Sequence, residues 1–204
     1  NPPVNAQNRQ FHDDLTLAFD VLSDRDDVRS IVLTGAGKCF SAGADIKGRV
    51  SQKSDLGDHW GHSRRVRECF YSIMECRKPV IAAINGAALG AGLAVAASAD
   101  ILIASESASI GLPEINVGLL GGGRHAMRLF GHSKTRRLML TGQRLSGAEL
   151  YRLGVVEECV PDDDLMEAAL AIAEELASKS PVAMSLAKET LNAIEEMALR
   201  DGYR

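Results

Sequence analysis

Three short apolar runs in the chain have the pattern of buried strands. They cover residues 30–34, 80–84 and 100–104, and their apolar residues are consecutive rather than alternating with polar ones. Consecutive apolar strands are typical of parallel sheets that helices cover on both faces. A shorter run at 155–160 predicts a last strand. The pattern therefore indicates an α/β fold.

Apolar residues spaced three and four apart predict helices before, between and after these strands. The first such stripe consists of Phe11, Leu15, Phe19 and Leu22. We expect Asn5 to cap this helix, because an asparagine side chain can accept a hydrogen bond from a free N–H group of the first turn. The polar segment 47–63 is predicted to be a loop or a frayed helix. Further helices are predicted at 66–74, at 92–99, after the triple glycine 121–123, and from Asp162 onward with a second start at Pro181.

The stretch from Val80 to Ala104 is apolar enough to suggest a membrane helix. Polar side chains interrupt it at Asn85, Ser98 and Asp100, and three glycines lie within it. A buried strand, a glycine turn and a buried helix explain the stretch better. We therefore expect no contact with a membrane.

The composition excludes several classes of protein. Hydrophobic residues make up 46% of the 204 residues and charged residues 25%, as in an ordinary globular domain. The formal net charge is −4 and no basic block occurs, so nucleic acid is not expected as a partner. The four cysteines form no CxxC pair and the N-terminal residues lack a signal-peptide pattern. These features predict a cytoplasmic protein with reduced thiols.

The common cofactor and hydrolase motifs do not occur in the sequence. Val95 stands where the dinucleotide-binding fingerprint needs its third glycine, and Cys39 stands where a phosphate-binding loop needs serine or threonine. No Gly-x-Ser-x-Gly sequence is present. His59 and His62 have no third ligand nearby at a spacing that suits a metal. We therefore expect neither a cofactor nor a metal.

Two glycine-flanked segments follow the first two predicted strands. They are 40–46 (FSAGADI) and 85–92 (NGAALGAG). Small residues let a ligand approach the main chain, and N–H groups at the start of a helix are free donors. Two such donors converging on one oxygen would form an oxyanion hole. The alternative is that both segments are tight turns that allow close helix–sheet packing.

Together with other segments in order, these two resemble the crotonase family, also called the enoyl-CoA hydratase/isomerase family. The resemblance covers nearly the whole chain. No single segment identifies the family, but so many matching segments in the same order make the resemblance specific. The matching segments are Asn1–Ala6, Phe40–Lys47, Lys78–Gly92, Ala99–Ile101, Pro113–Glu114 with Gly118, Leu140–Gly142 and Ala148–Val156.

The resemblance implies a spiral of strand–strand–helix repeats with a C-terminal helical region that trimerises. We expect residues 1–141 to form the α/β core with the oxyanion hole, and residues 142–204 to form the mainly helical region. The chain looks short at both ends beside family members, so we expect a fragment. The resemblance also implies a homotrimer, or a hexamer of two trimers, that acts on acyl-CoA thioesters with coenzyme A as part of the substrate.

The resemblance further assigns roles to residues of the site. The main-chain N–H groups of Ala44 and Ala91 would form the oxyanion hole, and Glu114 would be the catalytic acid and base. A half-apolar pocket would raise the pKa of this carboxyl toward useful basicity. Trp60 and His62 are candidates for the wall of the acyl pocket. The further substrate-binding positions are Ala42, Asp45, Ile46 and Gly90.

One departure from the family bears on the reaction. Hydratases of the family carry a second glutamate two residues after the Gly-x-Gly turn, where this chain has Ala94. Adding water requires both an oriented nucleophile and a proton donor, whereas a single base can move a proton between two carbons. Double-bond isomerisation is therefore the expected reaction. Gly122 stands where the dienoyl-CoA isomerase branch has an aspartate, which argues against that subclass.

Two alternatives to this reaction stay open. The first is hydration, in which His125 or a loop residue replaces the missing carboxylate. The second belongs to another class of protein, a non-catalytic subunit that binds CoA.

Overall fold

The computed structural model describes residues 1–46 and 55–202 of the chain. The strands are β1 (Ile31–Thr34), β2 (Val80–Ile84), β3 (Ala87–Leu89), β4 (Ile101–Ser105), β5 (Ser109–Gly111), β6 (Arg144–Ser146) and β7 (Cys159–Val160). The α-helices are α1 (Arg9–Asp24), α2 (Asp58–Met74), α3 (Ala91–Ala97), α4 (Gly123–Leu129), α5 (His132–Thr141), α6 (Gly147–Arg152), α7 (Leu165–Ala177), α8 (Pro181–Ile194) and α9 (Leu199–Gly202). Short 3₁₀ helices cover Pro113–Val117 and Asp162–Asp164.

Two sheets lie at the centre of the fold. The first has the order β1-β2-β4-β7 and its strands are parallel. The second has the order β3-β5-β6, with β5 parallel to β3 and antiparallel to β6. Twice in succession the chain passes through the first sheet, then the second, and then a helix: β2, β3 and α3, followed by β4, β5 and α4. This confirms the expected strand–strand–helix spiral.

The consecutive apolar pattern of β2 has a direct structural cause. All five of its residues are fully buried. Val80, Ala82 and Ile84 face the large core, whereas Ile81 and Ala83 face a second cluster that includes Leu165, Ala169 and Ala173 of α7. Because apolar groups cover both faces of the strand, no position is left for a polar side chain.

The apolar stretch from Val80 to Ala104 is divided among β2, β3, α3 and β4. The expected buried strands and helix are present, but β3 lies in the segment that was expected to be a glycine turn. Three turns separate these elements, so the stretch never forms one long helix. In residues 1–46 and 55–202, no helix combines the length and the apolar character needed to cross a membrane.

The predicted apolar stripe of α1 is confirmed, but its predicted cap is wrong. The side chain of Asn8 caps the helix, with its Oδ1 accepting from the N–H of Phe11 at 2.9 Å. Asn5 lies one turn earlier, has a φ of 51°, and donates to main-chain carbonyls of segment 36–40 at 2.7 to 3.3 Å. It therefore fastens the N-terminal segment to the loop after β1.

Two other segments differ from their predictions. The strand expected at 155–160 covers only Cys159–Val160. The first of these positions belongs to the turn after α6 instead, because the N–H of Val155 donates to the carbonyl of Leu150. Of the polar segment 47–63, residues 47–54 lie outside the described residues. Residues from Asp58 onward belong to α2, so the helical alternative of the prediction holds there and the loop alternative does not.

Residues after 142 are mainly helical but also return to both sheets. β6 pairs with β5 in the second sheet, and β7 pairs with β4 in the first. The division at 141/142 into a core and a helical region stays a prediction.

Lys188 joins α8 to the core. Its side chain is 6% exposed, and its Nζ lies 2.8 Å from Asp100 Oδ2. The same ammonium donates to the carbonyls of Ile73 at 3.0 Å and Lys78 at 3.2 Å. Asp100 also accepts from the N–H of Val80 at 2.7 Å. One buried charge therefore connects α8 with the end of α2 and the starts of β2 and β4.

We expect Lys188→Met to lower the free energy of unfolding by about 3 kcal/mol, because it leaves a partly buried carboxylate without its cation. Urea denaturation followed by circular dichroism measures the loss. Lys179→Met is the control, since Lys179 pairs with Glu175 at 3.9 Å on the surface and exposed pairs contribute about 0–1 kcal/mol. Equal small losses in both variants would show that the buried pair does not stabilise the fold.

Candidate active site

The loop after β1 pairs with β3 as if it were a short strand. The N–H of Ser41 donates to the carbonyl of Ala87 at 2.9 Å, and the N–H of Leu89 donates to the carbonyl of Ser41 at 2.9 Å. The hydroxyl of Ser41 accepts from Gln7 Nε2 at 3.1 Å. These bonds fix the path of the next residues, 42–46, beside the turn that leads into α3.

Two glycines allow the main chain of this loop to contact the main chain at the start of α3 directly. A Cβ on Gly43 would lie 2.5 Å from the carbonyl oxygen of Leu89 and 3.2 Å from the nitrogen of Ala91. A Cβ on Gly92 would lie 2.9 Å from the carbonyl carbon of Ser41. Gly43 also has a φ of 90°, which larger residues rarely adopt. No side chain therefore fits between the two segments.

Ala44 and Ala91 line the same cavity. On either side of Ala44, the carbonyl of Gly43 and the N–H of Asp45 bond to Gln7, at 2.8 and 3.0 Å. Successive main-chain groups of an extended chain point to opposite sides, so the N–H of Ala44 points away from Gln7. Ala91 is the first residue of α3, where an N–H has no helical acceptor. Within the described ranges, neither amide has a hydrogen-bond acceptor on the protein.

Glu114 lies against the turn that precedes Ala91. It belongs to the 3₁₀ helix Pro113–Val117, and a Cβ on Gly90 would lie 2.7 Å from its carboxyl carbon. The Oε2 atom of Glu114 is buried and has no hydrogen-bond partner among the residues that the structure describes. The sequence positions 44, 91 and 114 are therefore brought together around one space.

Burial raises the pKa of the Glu114 carboxyl above its ordinary value, and a main-chain hydrogen bond lowers it to a smaller extent. Desolvation has this effect because it disfavours the charged form. A carboxylate with a raised pKa takes up a proton from carbon more readily than an ordinary one. The direction of this shift agrees with what the resemblance led us to expect for this carboxyl.

The cavity around these groups has a volume of about 500 Å³. Its lining includes most of the expected substrate-binding positions, namely Ala42, Ile46 and Gly90. Asp45 is not part of the lining, and its Oδ2 lies 3.5 Å from Asn1 Nδ2. Ala94 contributes its methyl group to the wall. Among the described lining residues, Glu114 carries the only carboxylate.

The two candidates for the acyl wall separate in the structure. Both lie on α2, but His62 lines the cavity, whereas Trp60 is 70% exposed and does not. Sequence analysis missed three polar lining residues, His12, Asn116 and Arg144. His12 adjoins the apolar stripe of α1, and a histidine at the edge of such a stripe is the one signal that could have drawn attention to it.

His125 does not line the cavity that contains Glu114. It borders a separate cavity of about 320 Å³, and its ring packs edge-on against Phe70 with the centroids 4.8 Å apart. Burial lowers its pKa, and the charges of Arg128 and Arg124 lower it further. Phe70 borders both cavities, so it stands between the two sites.

Comparison with known proteins finds relatives that are named as enzymes of CoA thioesters. A probable mitochondrial enoyl-CoA hydratase of Dictyostelium discoideum is 37% identical over 204 residues, covering 98% of this chain and 72% of the relative. The (7aS)-7a-methyl-1,5-dioxo-2,3,5,6,7,7a-hexahydro-1H-indene-carboxyl-CoA hydrolase of Mycobacterium tuberculosis is 36% identical over 203 residues, covering 100% of this chain and 82% of the relative.

The fold leads to the same group of proteins. The crystal structure of an enoyl-CoA hydratase from Bacillus anthracis matches with a TM-score of 0.90 and 34% identity, covering 97% of this chain and 78% of the other. The sequence family described as enoyl-CoA hydratase/isomerase matches residues 1–203. With its spiral of strands and helices and its two glycine-flanked segments, this chain belongs to the enoyl-CoA hydratase/isomerase, or crotonase, family.

Proposed function

We propose that this protein acts on acyl-CoA thioesters and moves a carbon–carbon double bond, with Glu114 as the single acid and base. The observation that supports this most directly is the lone carboxylate of Glu114 against Gly90, beside the amides of Ala44 and Ala91. Ala94, which stands where the resemblance implies a second glutamate in hydratases, is among the lining residues and has no carboxylate.

The proposed reaction begins with a β,γ-unsaturated acyl-CoA whose thioester carbonyl accepts hydrogen bonds from Ala44 and Ala91. The Glu114 carboxylate removes a proton from the α-carbon, and the electron pair spreads over the carbonyl oxygen and the double bond. The two amides stabilise this dienolate, and losing one such donor typically costs about 2.7–4 kcal/mol of barrier. The protonated Glu114 then returns the proton to the γ-carbon. The double bond now lies between the α- and β-carbons.

This proton shift is balanced without any other reactant. The proton that leaves one carbon returns to another on the same molecule, so neither an oxidant nor a cofactor is required. The raised pKa of Glu114 suits both halves of the cycle, because the group must accept a proton and then give it back. Coenzyme A enters and leaves as part of the substrate.

The remaining assignments concern binding and assembly. Ala42, Ile46 and Gly90 are proposed to contact the substrate from the cavity lining, and Asp45 to contact the part of CoA outside it. A homotrimer or a hexamer of two trimers stays the expected assembly. The cytoplasmic location also stays a prediction, and the D. discoideum relative is among those named as mitochondrial.

Hydration is the second candidate reaction. It is favoured by the names of the D. discoideum and B. anthracis relatives, which are enoyl-CoA hydratases. Water addition needs a group that orients water in addition to Glu114. His125 borders another cavity, so His62 is the better candidate for this task on the described lining.

Two substrates distinguish these reactions. We expect the protein to convert a β,γ-unsaturated acyl-CoA to its conjugated isomer, seen as a gain of absorbance from the conjugated thioester. We expect little loss of absorbance with crotonyl-CoA, since a single carboxylate does not orient water as well. Rapid hydration of crotonyl-CoA would contradict isomerisation as the main activity. Thermal stabilisation by acyl-CoA with no turnover of either substrate would instead support a non-catalytic subunit.

We expect Glu114→Gln to lower kcat by on the order of 10²–10⁴ and yet to raise the free energy of unfolding at neutral pH. A carboxyl whose folded pKa lies above its unfolded pKa destabilises the folded state once it is ionised, and glutamine lacks that charge. The stability difference should vanish in acid, below the unfolded pKa of the carboxyl. Urea titrations at both pH values measure it. Unchanged turnover in this variant would remove Glu114 from the mechanism.

The pH dependence of the wild-type protein gives a separate test. We expect kcat/KM to fall as the pH is lowered through the pKa of Glu114, because only the carboxylate accepts a proton. Burial raises this pKa, so the midpoint should lie above the ordinary glutamate value of 4.5. A profile of kcat/KM against pH checks this, with the same pH values repeated in different buffers as the control. Full activity down to that ordinary value would contradict a desolvated base.

A further inference from the structure

Gln7 holds the segment that carries Ala44 through main-chain hydrogen bonds. Its N–H donates to the carbonyl of Gly43 at 2.8 Å, and its carbonyl accepts from the N–H of Asp45 at 3.0 Å. Residues 7 and 44 thereby pair like neighbours in parallel strands. These bonds involve only main-chain atoms, so any residue except proline at position 7 could form them. They therefore do not account for a glutamine at this position.

The side chain of Gln7 makes a further contact, with the hydroxyl of Ser41. Both residues are buried, with 2% and 1% of their surface exposed. The Ser41 hydroxyl donates its one proton to the carbonyl of Asn5 at 2.8 Å, so it can only accept from Gln7 Nε2, at 3.1 Å. It also accepts from the N–H of Gly43 at 3.3 Å. The amide of Gln7 thus acts, through one hydroxyl, on the residue that precedes Ala44.

This arrangement costs the folded state free energy. The Oε1 atom of Gln7 is buried and, within residues 1–46 and 55–202, has no hydrogen-bond partner. A buried acceptor without a partner loses its hydration and gains nothing in return. A leucine would have no such atom, and the Ser41 hydroxyl would keep its bonds to Asn5 and Gly43. Stability alone therefore favours an apolar residue at position 7.

We propose that Gln7 is a positioning residue of the oxyanion hole, whose side chain acts through Ser41 to keep the N–H of Ala44 directed at the thioester oxygen. The proposal rests on the proposed function, and it adds to that function a residue outside the cavity lining. Donors that are fixed in advance stabilise the developing negative charge without reorganising during the reaction. A donor that moves loses most of its effect when the oxygen carries that charge, which is in the transition state. The side chain of Gln7 therefore has opposite effects on stability and on rate.

Two apolar variants, Gln7→Leu and Gln7→Met, remove the side-chain bond and keep the main-chain bonds of residue 7. With a β,γ-unsaturated acyl-CoA, we expect kcat to fall about three- to tenfold in both variants, with KM nearly unchanged. Loss of an interaction that acts in the transition state gives this split between kcat and KM. Calorimetry with a saturated acyl-CoA of equal length should give a Kd within about twofold of the wild-type value. The binding stoichiometry gives the fraction of intact sites.

Urea denaturation separates positioning from folding. A glutamine with a merely structural role would affect kcat only through the folded fraction, so the free energy of unfolding and the binding stoichiometry would fall together with kcat. We expect the free energy of unfolding to stay the same or to rise in both variants, because the unpartnered Oε1 atom is gone. Loss of stability with a proportional loss of binding sites would overturn the proposal.

Ser41 provides a second, independent test. Ser41→Ala should lower kcat at least as much as Gln7→Leu, and the double variant should lose no more than Ser41→Ala alone, because the two side chains act through one bond. Thr34→Val is the matched control, since it removes a hydroxyl that donates to the carbonyl of Ala83 at 2.8 Å inside the first sheet. Its kcat should be unchanged. Losses that multiply in the double variant, or an equal loss in Thr34→Val, would contradict the joint role.

Failure of the proposed reaction gives a different result from failure of this positioning role. If the wild-type protein hydrates crotonyl-CoA and isomerises nothing, the proposed reaction is wrong, and the same variants are compared with crotonyl-CoA, whose thioester oxygen needs the same two amides. If the wild-type protein turns over neither thioester, both proposals are wrong. If the β,γ-unsaturated thioester is isomerised equally fast by the wild-type protein and both Gln7 variants, only the positioning role is wrong.

Discussion

The site depends on one contact, in which two stretches of main chain touch without side chains between them. Ser41 pairs with β3, and Gly43 then passes so close to Leu89 that even a methyl group would collide. The same closeness recurs at Gly92, beneath the carbonyl of Ser41. The parallel sheet supplies the rigid support for this contact, because β1 and β2 lie side by side and deliver both segments at the same edge. Ala44 and Ala91, which are far apart in sequence, thereby line one cavity.

The buried carboxylate of Glu114 lowers the free energy of unfolding when it is ionised, and other contacts must offset this loss. Glu114 is desolvated, and its Oε2 has no hydrogen-bond partner within the described chain, so its ionised form is held in an unfavourable environment. Such strain is typical of groups that act in catalysis rather than in packing. Fully buried strands and the contacts of Lys188 provide stability elsewhere. The contacts that stabilise the fold thus lie apart from the desolvated carboxylate of Glu114.

Sequence reasoning succeeded where a local pattern has a single structural cause. The consecutive apolar residues of β2 reflect burial on both faces, and the small residues around Gly43 and Gly92 reflect a main-chain contact. It failed where two positions satisfy the same local rule: Asn5 and Asn8 both suit a helix cap, and only tertiary bonds to segment 36–40 assign Asn5 elsewhere. It missed His12, because a histidine beside the apolar stripe of α1 is a weak signal and the residue reaches the cavity through the packing of α1 against α2. The three-residue strands β3, β5 and β6 are too short for a periodic signal.

Donors that belong to the main chain cannot be deleted by substitution, since every residue except proline carries the same N–H. Substitutions can therefore change the size and polarity of the cavity lining while the N–H groups of residues 44 and 91 remain. The vulnerable positions are the glycines at 43, 90 and 92, where any added atom would push apart the segments that hold the donors or displace the nearby carboxylate. Substitutions in the lining can therefore change which ligands fit the cavity without removing these N–H groups, as long as the three glycine positions stay free of side chains.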